Sequence, residues 1–238
     1  VVFLAVLFAG CEKDPVPLTT NSVIYGIARA DYEGGGVTVT AFGPYGNKSS
    51  VTDEDDNFSI GGLGNGTYYL EYMKEGFGTL RQYSIRVFGN DTVRAYITQL
   101  YRMPELVYPP ALLRAYTGVR PRSYPEKTWI AIDTDFRQEE INKKIYQMVL
   151  FFSDKKDVSW SSSRQSGFFH DLQFNDQLLT IYIDIPRMKF KTGTTVYVIA
   201  YPCNNQENSP YLDTYLGRLI YSTLDKDHPS NVVSFVMP

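Results

Sequence analysis

Histidine, cysteine and tryptophan are scarce, with two of each in 238 residues. His170 and His228 stand far apart in sequence and form no metal-ligand pair. Of the cysteines, Cys11 is expected to be modified, which leaves Cys203 alone and no structural disulfide. There is no excess of positive charge: the formal net charge is −3, so the electrostatic footprint of a nucleic-acid binder is missing. Signatures of catalysis are missing as well. There is no G-x-S-x-G elbow, no H-E-x-x-H pair and no phosphate-cradling P-loop. His170 and Asp171 are neighbours, but adjacent residues of a strand point to opposite faces and make a poor dyad. Nothing near Cys203, in Tyr201-Pro202-Cys203-Asn204, would lower its thiol pKa. We assign no catalytic residue and expect no cofactor. Carboxylate pairs of the kind that hydrolyse glycosides need only meet in space, so a hydrolase with its carboxylates on loops of the second domain stands as the rival class.

Aromatic residues, by contrast, are plentiful at 15%, with 19 tyrosines, and can fill large cores. The apolar run Val1–Phe8 is too short to span a bilayer. Small residues Ala9-Gly10 follow, and then Cys11, which reads as the end of a secretory signal peptide. The segment resembles a bacterial lipobox, in which cleavage before the cysteine precedes lipidation; Phe8 stands where leucine is commonest. The precursor is expected to extend upstream of Val1. Residues 1–10 are thus a signal-peptide remnant and 11–21 a lipidated tether. Prolines and charges in Glu12–Asn21 disfavour both helix and central strand. Acidic residues just after Cys11 resemble surface-export signals of some Gram-negative lipoproteins. The resemblance implies a lipid-anchored protein of the Gram-negative outer membrane, exposed at the cell surface.

The stretch Thr52–Phe77 organises the first half. Asp53, Glu54, Asp55, Asp56 and Asn57 form an acidic turn, since Asp and Asn side chains bond nearby backbone groups and tolerate left-handed conformations. Alternation puts Phe58 and Ile60 on one face, and then Tyr68 and Leu70 on one face with Tyr69 and Glu71 on the other. Glycines 61, 62, 64 and 66 give the freedom for a reversal, so the segment reads as a β-hairpin. Thr52, Asp53, Asp55 and Phe58, then Gly66-Thr67-Tyr68, then Gly76-Phe77 resemble the carboxypeptidase regulatory-like, or transthyretin-like, β-sandwich family over about residues 22–100. Asp56 replaces that family's usual glycine.

Short alternating segments continue along the chain, at Val23–Ala28, Val37–Phe42, Tyr83–Val87 and Thr92–Ile97. Further on they recur at Thr128–Asp133, Ile145–Phe152, Phe168–Phe174, Leu178–Ile185, Thr195–Tyr201, Leu219–Ser222 and Val232–Val236. The last of these resemble the end of a fibronectin type III-like sandwich. The expected fold is all-β, two antiparallel β-sandwich domains (Ig-like or transthyretin-like) in tandem. The first spans 22–102 and the second 128–238, joined by a proline-bearing linker over 103–127. Ala111–Pro125 shows no clear period, and Gln138–Lys144 suggests one helical turn.

Candidate sites follow from residue type. Asp53, Asp55 and Asp56 are weak calcium candidates, because clustered carboxylates suit a hard cation, but an EF-hand's glycine and distal glutamate are missing, and a solvated turn explains them better. Trp160 lies among serines, while Tyr211, Tyr215, Asn204, Asn205 and Gln206 follow a long strand. Aromatic faces beside amides suit sugar rings and hydroxyls, although tyrosines also cover the ends of sandwiches. Asp91-Thr92-Val93 resembles an O-glycosylation acceptor, with Thr92 as its hydroxyl. The function expected is non-enzymatic binding or assembly at the cell envelope, with capture of a glycan or of an envelope protein, or with a role in an adhesive fibre.

Overall fold

A computed structural model describes residues 21–31, 33–104, 110–119, 128–135, 146–171, 179–204 and 210–238. Cys11, Asn205, Gln206 and the segment 138–144 lie outside the described residues. The first sandwich holds β1 (Ser22–Ala30), β2 (Thr38–Gly43), β3 (Gly46–Val51), β4 (Asn57–Leu63), β5 (Gly66–Met73), β6 (Leu80–Val87), β7 (Thr92–Arg94) and β8 (Thr98–Leu100). One sheet has the order β3-β2-β5-β6, and the other β4-β1-β7 with β8 also on β1. Phe58, Ile60, Leu63, Tyr68 and Leu70 are all buried between them. Strand alternation therefore predicted the inward set. Two short pairings, β1 with β7 and β1 with β8, are parallel, where alternation alone suggested antiparallel sheets.

The expected hairpin is not one. Strand β4 pairs with β1, whereas β5 pairs with β2 and β6. The glycine-rich corner carries the chain from one sheet to the other. Register slips between Ser22 and Ile24 as they face Leu63 and Ile60, and Gly62 takes φ 68°. This bulge adds a residue, so Leu63 joins Phe58 and Ile60 on the core face. The β3 strand, polar except for an exposed Val51, was missed in the sequence. It is an edge strand bonded to β2 alone, so it has no buried face to impose a pattern.

The second sandwich holds β9 (Ala111–Val119), β10 (Thr128–Asp135), β11 (Tyr146–Ser153), β12 (Gln165–Asp171), β13 (Leu179–Asp184), β14 (Thr195–Asn204), β15 (Tyr211–Asp213), β16 (Arg218–Ile220) and β17 (Val233–Val236). Its sheets are β13-β10-β9 and β12-β11-β14-β17, with β15-β16 as a separate ribbon. Residues 111–119, read in the sequence as linker, form β9 and pair along β10. The strand is half-exposed, which explains why Arg114 and Tyr116 blur its period. Asn231 ties the start of β9 to the segment before β17: its Oδ1 accepts from Leu112 N at 2.9 Å and its Nδ2 donates to Leu112 O at 2.7 Å.

Strand β11 is buried on both faces, which is why it reads as an unbroken apolar run. Met148, Leu150 and Phe152 face the core between the sheets. Val149 and Phe151 face a second cluster with Tyr201, Cys203, Tyr221 and Leu224. The two sandwiches touch. Asn204 Nδ2 donates to Arg102 O at 2.9 Å. Gly78 lies so close to the second sandwich that a Cβ there would stand 2.3 Å from Ser222 O.

Candidate functional site

Strand β6 sets up the junction between the sandwiches. Ser84 takes φ 65°, and the β5–β6 register slips between Tyr68 and Leu70. This bulge changes the parity of β6. Ile85 and Val87 enter the core beyond it, while Gln82 before it points inward and accepts from Tyr72 Oη at 2.9 Å. Arg81 and Tyr83 are thereby placed on the outer face with Tyr69 and Glu71 of β5. Phe42 stacks on Tyr69 with centroids 4.7 Å apart and planes 3° from parallel, and Tyr83 tilts against Tyr69 at 5.5 Å. Glu71 accepts from Arg81 Nε at 2.7 Å and from Nη2 at 2.6 Å.

The ribbon β15-β16 of the second sandwich meets this face. Asp213, 1% exposed, turns its Oδ1 to the N–H groups of Tyr215 and Leu216 at 3.0 and 2.9 Å. Its Oδ2 stands 3.6 Å from Arg81 Nη1, an ion-pair distance. Burial pushes the Asp213 carboxyl up, but Tyr83, the two backbone N–H groups and Arg81 together hold it below its ordinary value. Burial first, and Asp213 next, push the Tyr83 hydroxyl up to about 12, so it stays protonated.

Two clefts flank the ribbon, and Arg81 and Leu216 line both. One, of about 600 Å³, is walled by Tyr68, Tyr69, Tyr83 and Tyr215, with Thr67, Ser84 and Thr214 around them. The other, of about 440 Å³, lies against Trp160, Tyr211, Tyr221 and Lys226. Over the Trp160 ring stand two cations, Arg218 Cζ at 4.7 Å and Lys226 Nζ at 4.4 Å from its centroid. Arg218 also donates from Nη1 to Ser161 O at 2.8 Å, while its buried Nε has no hydrogen-bond partner among the described residues.

The sugar-site candidates are therefore divided. Trp160 and Tyr211 line the smaller cleft, and Tyr215, 88% exposed, lines the larger. Asn204 lines neither cleft and is bonded to Arg102 O. Residues Tyr69, Arg81, Tyr83, Asp213 and Lys226 were not singled out in the sequence. Only the outward parity of Tyr69 and Glu71 hinted at them, because a bulge and a contact between two domains bring them together.

The acidic turn is bonded within the protein. Asp53 Oδ1 accepts from Asp55 N at 3.1 Å and Asn57 N at 2.8 Å. Asp56 takes φ 66°, as the replaced glycine would, and its Oδ1 accepts from Gly35 N at 2.9 Å. Among the described residues no group of three or more His, Cys, Asp or Glu is arranged to hold a metal ion. Thr92 is exposed at the start of β7, just after the turn closed by Asp91 N donating to Phe88 O at 3.1 Å. Of possible acid–base pairs, His228 Nδ1 lies 2.8 Å from Asp225 Oδ2; among the described residues no hydroxyl or thiol bonds that imidazole. Cys203 is fully buried.

No family model matches the sequence, and no curated protein matches it. Solved structures are matched in part. A candidate carbohydrate binding protein from Bacteroides uniformis is 10% identical, with 91% of this chain and 99% of that one covered at a TM-score of 0.32. A DUF3823 family protein from Bacteroides ovatus is 12% identical, with 92% and 100% covered at 0.32. A chain of a type II cohesin–X-dockerin complex from Acetivibrio cellulolyticus is 20% identical at 0.30, with 34% of this chain and 58% of that one covered. This chain thus spans under three fifths of that cohesin–dockerin chain's length. At this level of likeness no residue here inherits a role from these proteins.

Proposed function

We propose that this protein is a non-enzymatic glycan-binding protein of the cell envelope, with its site at the junction of the two sandwiches. The observation that supports it is the larger cleft: Tyr69, Tyr83 and Tyr215 offer apolar rings beside the hydroxyls of Thr67, Ser84 and Thr214 and the guanidinium of Arg81. Rings stack on the C–H faces of sugars, while hydroxyls and charged donors meet sugar oxygens. A volume of about 600 Å³ holds one or two sugar units, within the usual size of ligand pockets. The same reading places the protein at the Gram-negative outer membrane, lipid-anchored through Cys11, with a ligand presented from outside. The anchor is tested by Cys11→Ala, which is expected to release the protein from the membrane fraction or leave an unprocessed precursor.

The function is tested by a glycan array with the full chain, followed by a turnover assay on every hit. Binding without product is expected, with Tyr215→Ala weakening it about fivefold or more, since truncating an aromatic anchor at a binding site costs over about 1 kcal/mol. Tyr215 is nearly fully exposed, so this variant keeps the fold. Product formation would instead favour the hydrolase, and unchanged binding by Tyr215→Ala would remove the site from the larger cleft.

A further inference from the structure

The two outer faces of the first sandwich differ. One, on β5 and β6, carries Tyr69, Arg81 and Tyr83 and opens into the larger cleft. The other belongs to the sheet of β4, β1 and β7. Ile24, Ala28, Phe58 and Ile60 turn inward from that sheet, so alternation sends Val23, Tyr25 and Ile27 outward along β1. Tyr25 is exposed there, and Val23 and Ile27 are half-buried. Ala95 N donates to Tyr25 O at 2.8 Å, which holds the following residues alongside β1. These are Tyr96 and Ile97, 79% and 59% exposed. The solvated face of an antiparallel sheet is ordinarily polar, whereas this one carries an apolar stripe. Its charge is of one sign as well. Strands β1, β4, β7 and β8 hold two cations, Arg29 and Arg94, and no carboxylate. Of the acids in the turns at the strand ends, Asp56 stands 3.6 Å from Arg29 and Asp91 accepts from Phe88 N at 3.2 Å.

Strand β1 is also the strand that the tether of residues 11–21 leads into. Fully extended, the chain from Cys11 to Ser22 reaches at most about 40 Å, so an anchor at Cys11 keeps this sheet beside the bilayer. Tethering makes contact between the two surfaces an intramolecular event at high effective concentration. A patch too small to hold a membrane from solution then suffices. Tyrosine suits headgroup depth, where its ring meets the apolar side and its hydroxyl the wet side. Arginine meets lipid phosphates.

We propose that the outer face of the β4-β1-β7 sheet, centred on Tyr25, Tyr96 and Ile97, rests on the lipid headgroups of the bilayer that holds the Cys11 anchor. The proposal rests on the lipid-anchor reading and adds the orientation of the anchored protein. The larger cleft opens from the opposite sheet, so it faces away from the membrane, towards a ligand arriving from outside.

The experiment uses the full chain in vesicles of phosphatidylethanolamine and phosphatidylglycerol, with flotation to read the anchor. A fluorophore is attached to the sheet through Ser59→Cys or, as the control, to the opposite face through Met73→Cys. Both native positions are exposed, Cys203 is buried, and Cys11 carries the lipid. A tether alone leaves the two labels equally open to acrylamide in the water. Quenching severalfold weaker at Ser59 than at Met73 is expected in the floated protein. The difference is expected to vanish in Tyr96→Asp/Ile97→Asp, whose thermal midpoint confirms its fold, and in the Cys11→Ala protein in solution. Equal or reversed quenching in the floated protein, or protection that survives Tyr96→Asp/Ile97→Asp, overturns the membrane face and leaves the anchor standing. Protection of the Ser59 label that grows with concentration of the Cys11→Ala protein in solution also overturns it, because a second copy then covers the sheet. A full chain that does not float overturns the anchor and the membrane face together.

Discussion

At the scale of single residues, the first sandwich separates side chains that hold the fold from side chains that only finish its surface. Phe58 is 4% exposed and meets Tyr72 edge-on at 6.0 Å. Its removal takes away a large buried ring and leaves a cavity that two paired sheets cannot easily close, so Phe58→Ala is expected to cost about 3–5 kcal/mol. Glu54, two places before Asp56, is exposed in the turn that Asp53 and Asp56 close. Glu54→Ala is expected to change stability by less than about 1 kcal/mol, with calcium and with chelator alike. Denaturant unfolding of both variants in the full chain, in calcium and in chelator, checks the pair. A large loss for Glu54→Ala only in calcium would make the acidic turn a metal site. A small loss for Phe58→Ala would break the assignment of its inward face.

At the scale of elements, the ribbon β15-β16 is the piece that joins the second sandwich to the outer face of the first. Its anchor is Asp213, whose carboxyl is held below the ordinary value of 3.8. A carboxyl depressed in the folded state contributes stability above its unfolded pKa, and that contribution is lost as pH falls through the folded one. Docking of the ribbon is thus expected to hold at neutral pH and to weaken below 3.8, while Asp213→Asn, which has no charge to lose, shows a flatter profile. Near-ultraviolet circular dichroism, which reports the packing of Tyr83 and Tyr211, read from about pH 6 to about pH 2, distinguishes the two. Parallel profiles for parent and variant would remove Asp213 from the anchor. The same ribbon shows what a sequence withholds. Alternation identified the inward residues of β4 and β5 because a period of two is a property of one strand by itself. It could not say which strands pair, so a corner between sheets resembled a hairpin. The short β15 and the mixed β9 escaped because neither has a fully buried face. Tyr211, Tyr215 and Trp160 were recognisable as aromatics on polar stretches. Arg81 and Asp213 were not, since each is an ordinary charge until a bulge turns one outward and a second domain brings the other to it.

At the scale of the whole molecule, the two cores are independent but the site is not. The buried cluster of the first sandwich runs from Ile24 to Leu100, and those of the second lie between Leu112 and Met237. Both clefts take their walls from both sandwiches, so ligand binding requires the sandwiches to be docked, whereas folding of each does not. Gly78 separates these demands. Its added Cβ would stand 2.3 Å from Ser222 O and 2.5 Å from Ser222 C, and backbone cannot swing aside as a side chain does. Gly78→Ala is therefore expected to push the sandwiches apart while leaving each core packed. Small-angle scattering should then show a larger radius of gyration, far-ultraviolet circular dichroism should be unchanged, and glycan affinity should fall by about tenfold or more, as binding must now restore the docked arrangement at its own expense. An unchanged radius with full affinity would mean that the junction absorbs the methyl group. A larger radius with full affinity would mean that one sandwich alone binds the glycan, and the site would have to be sought on a single domain.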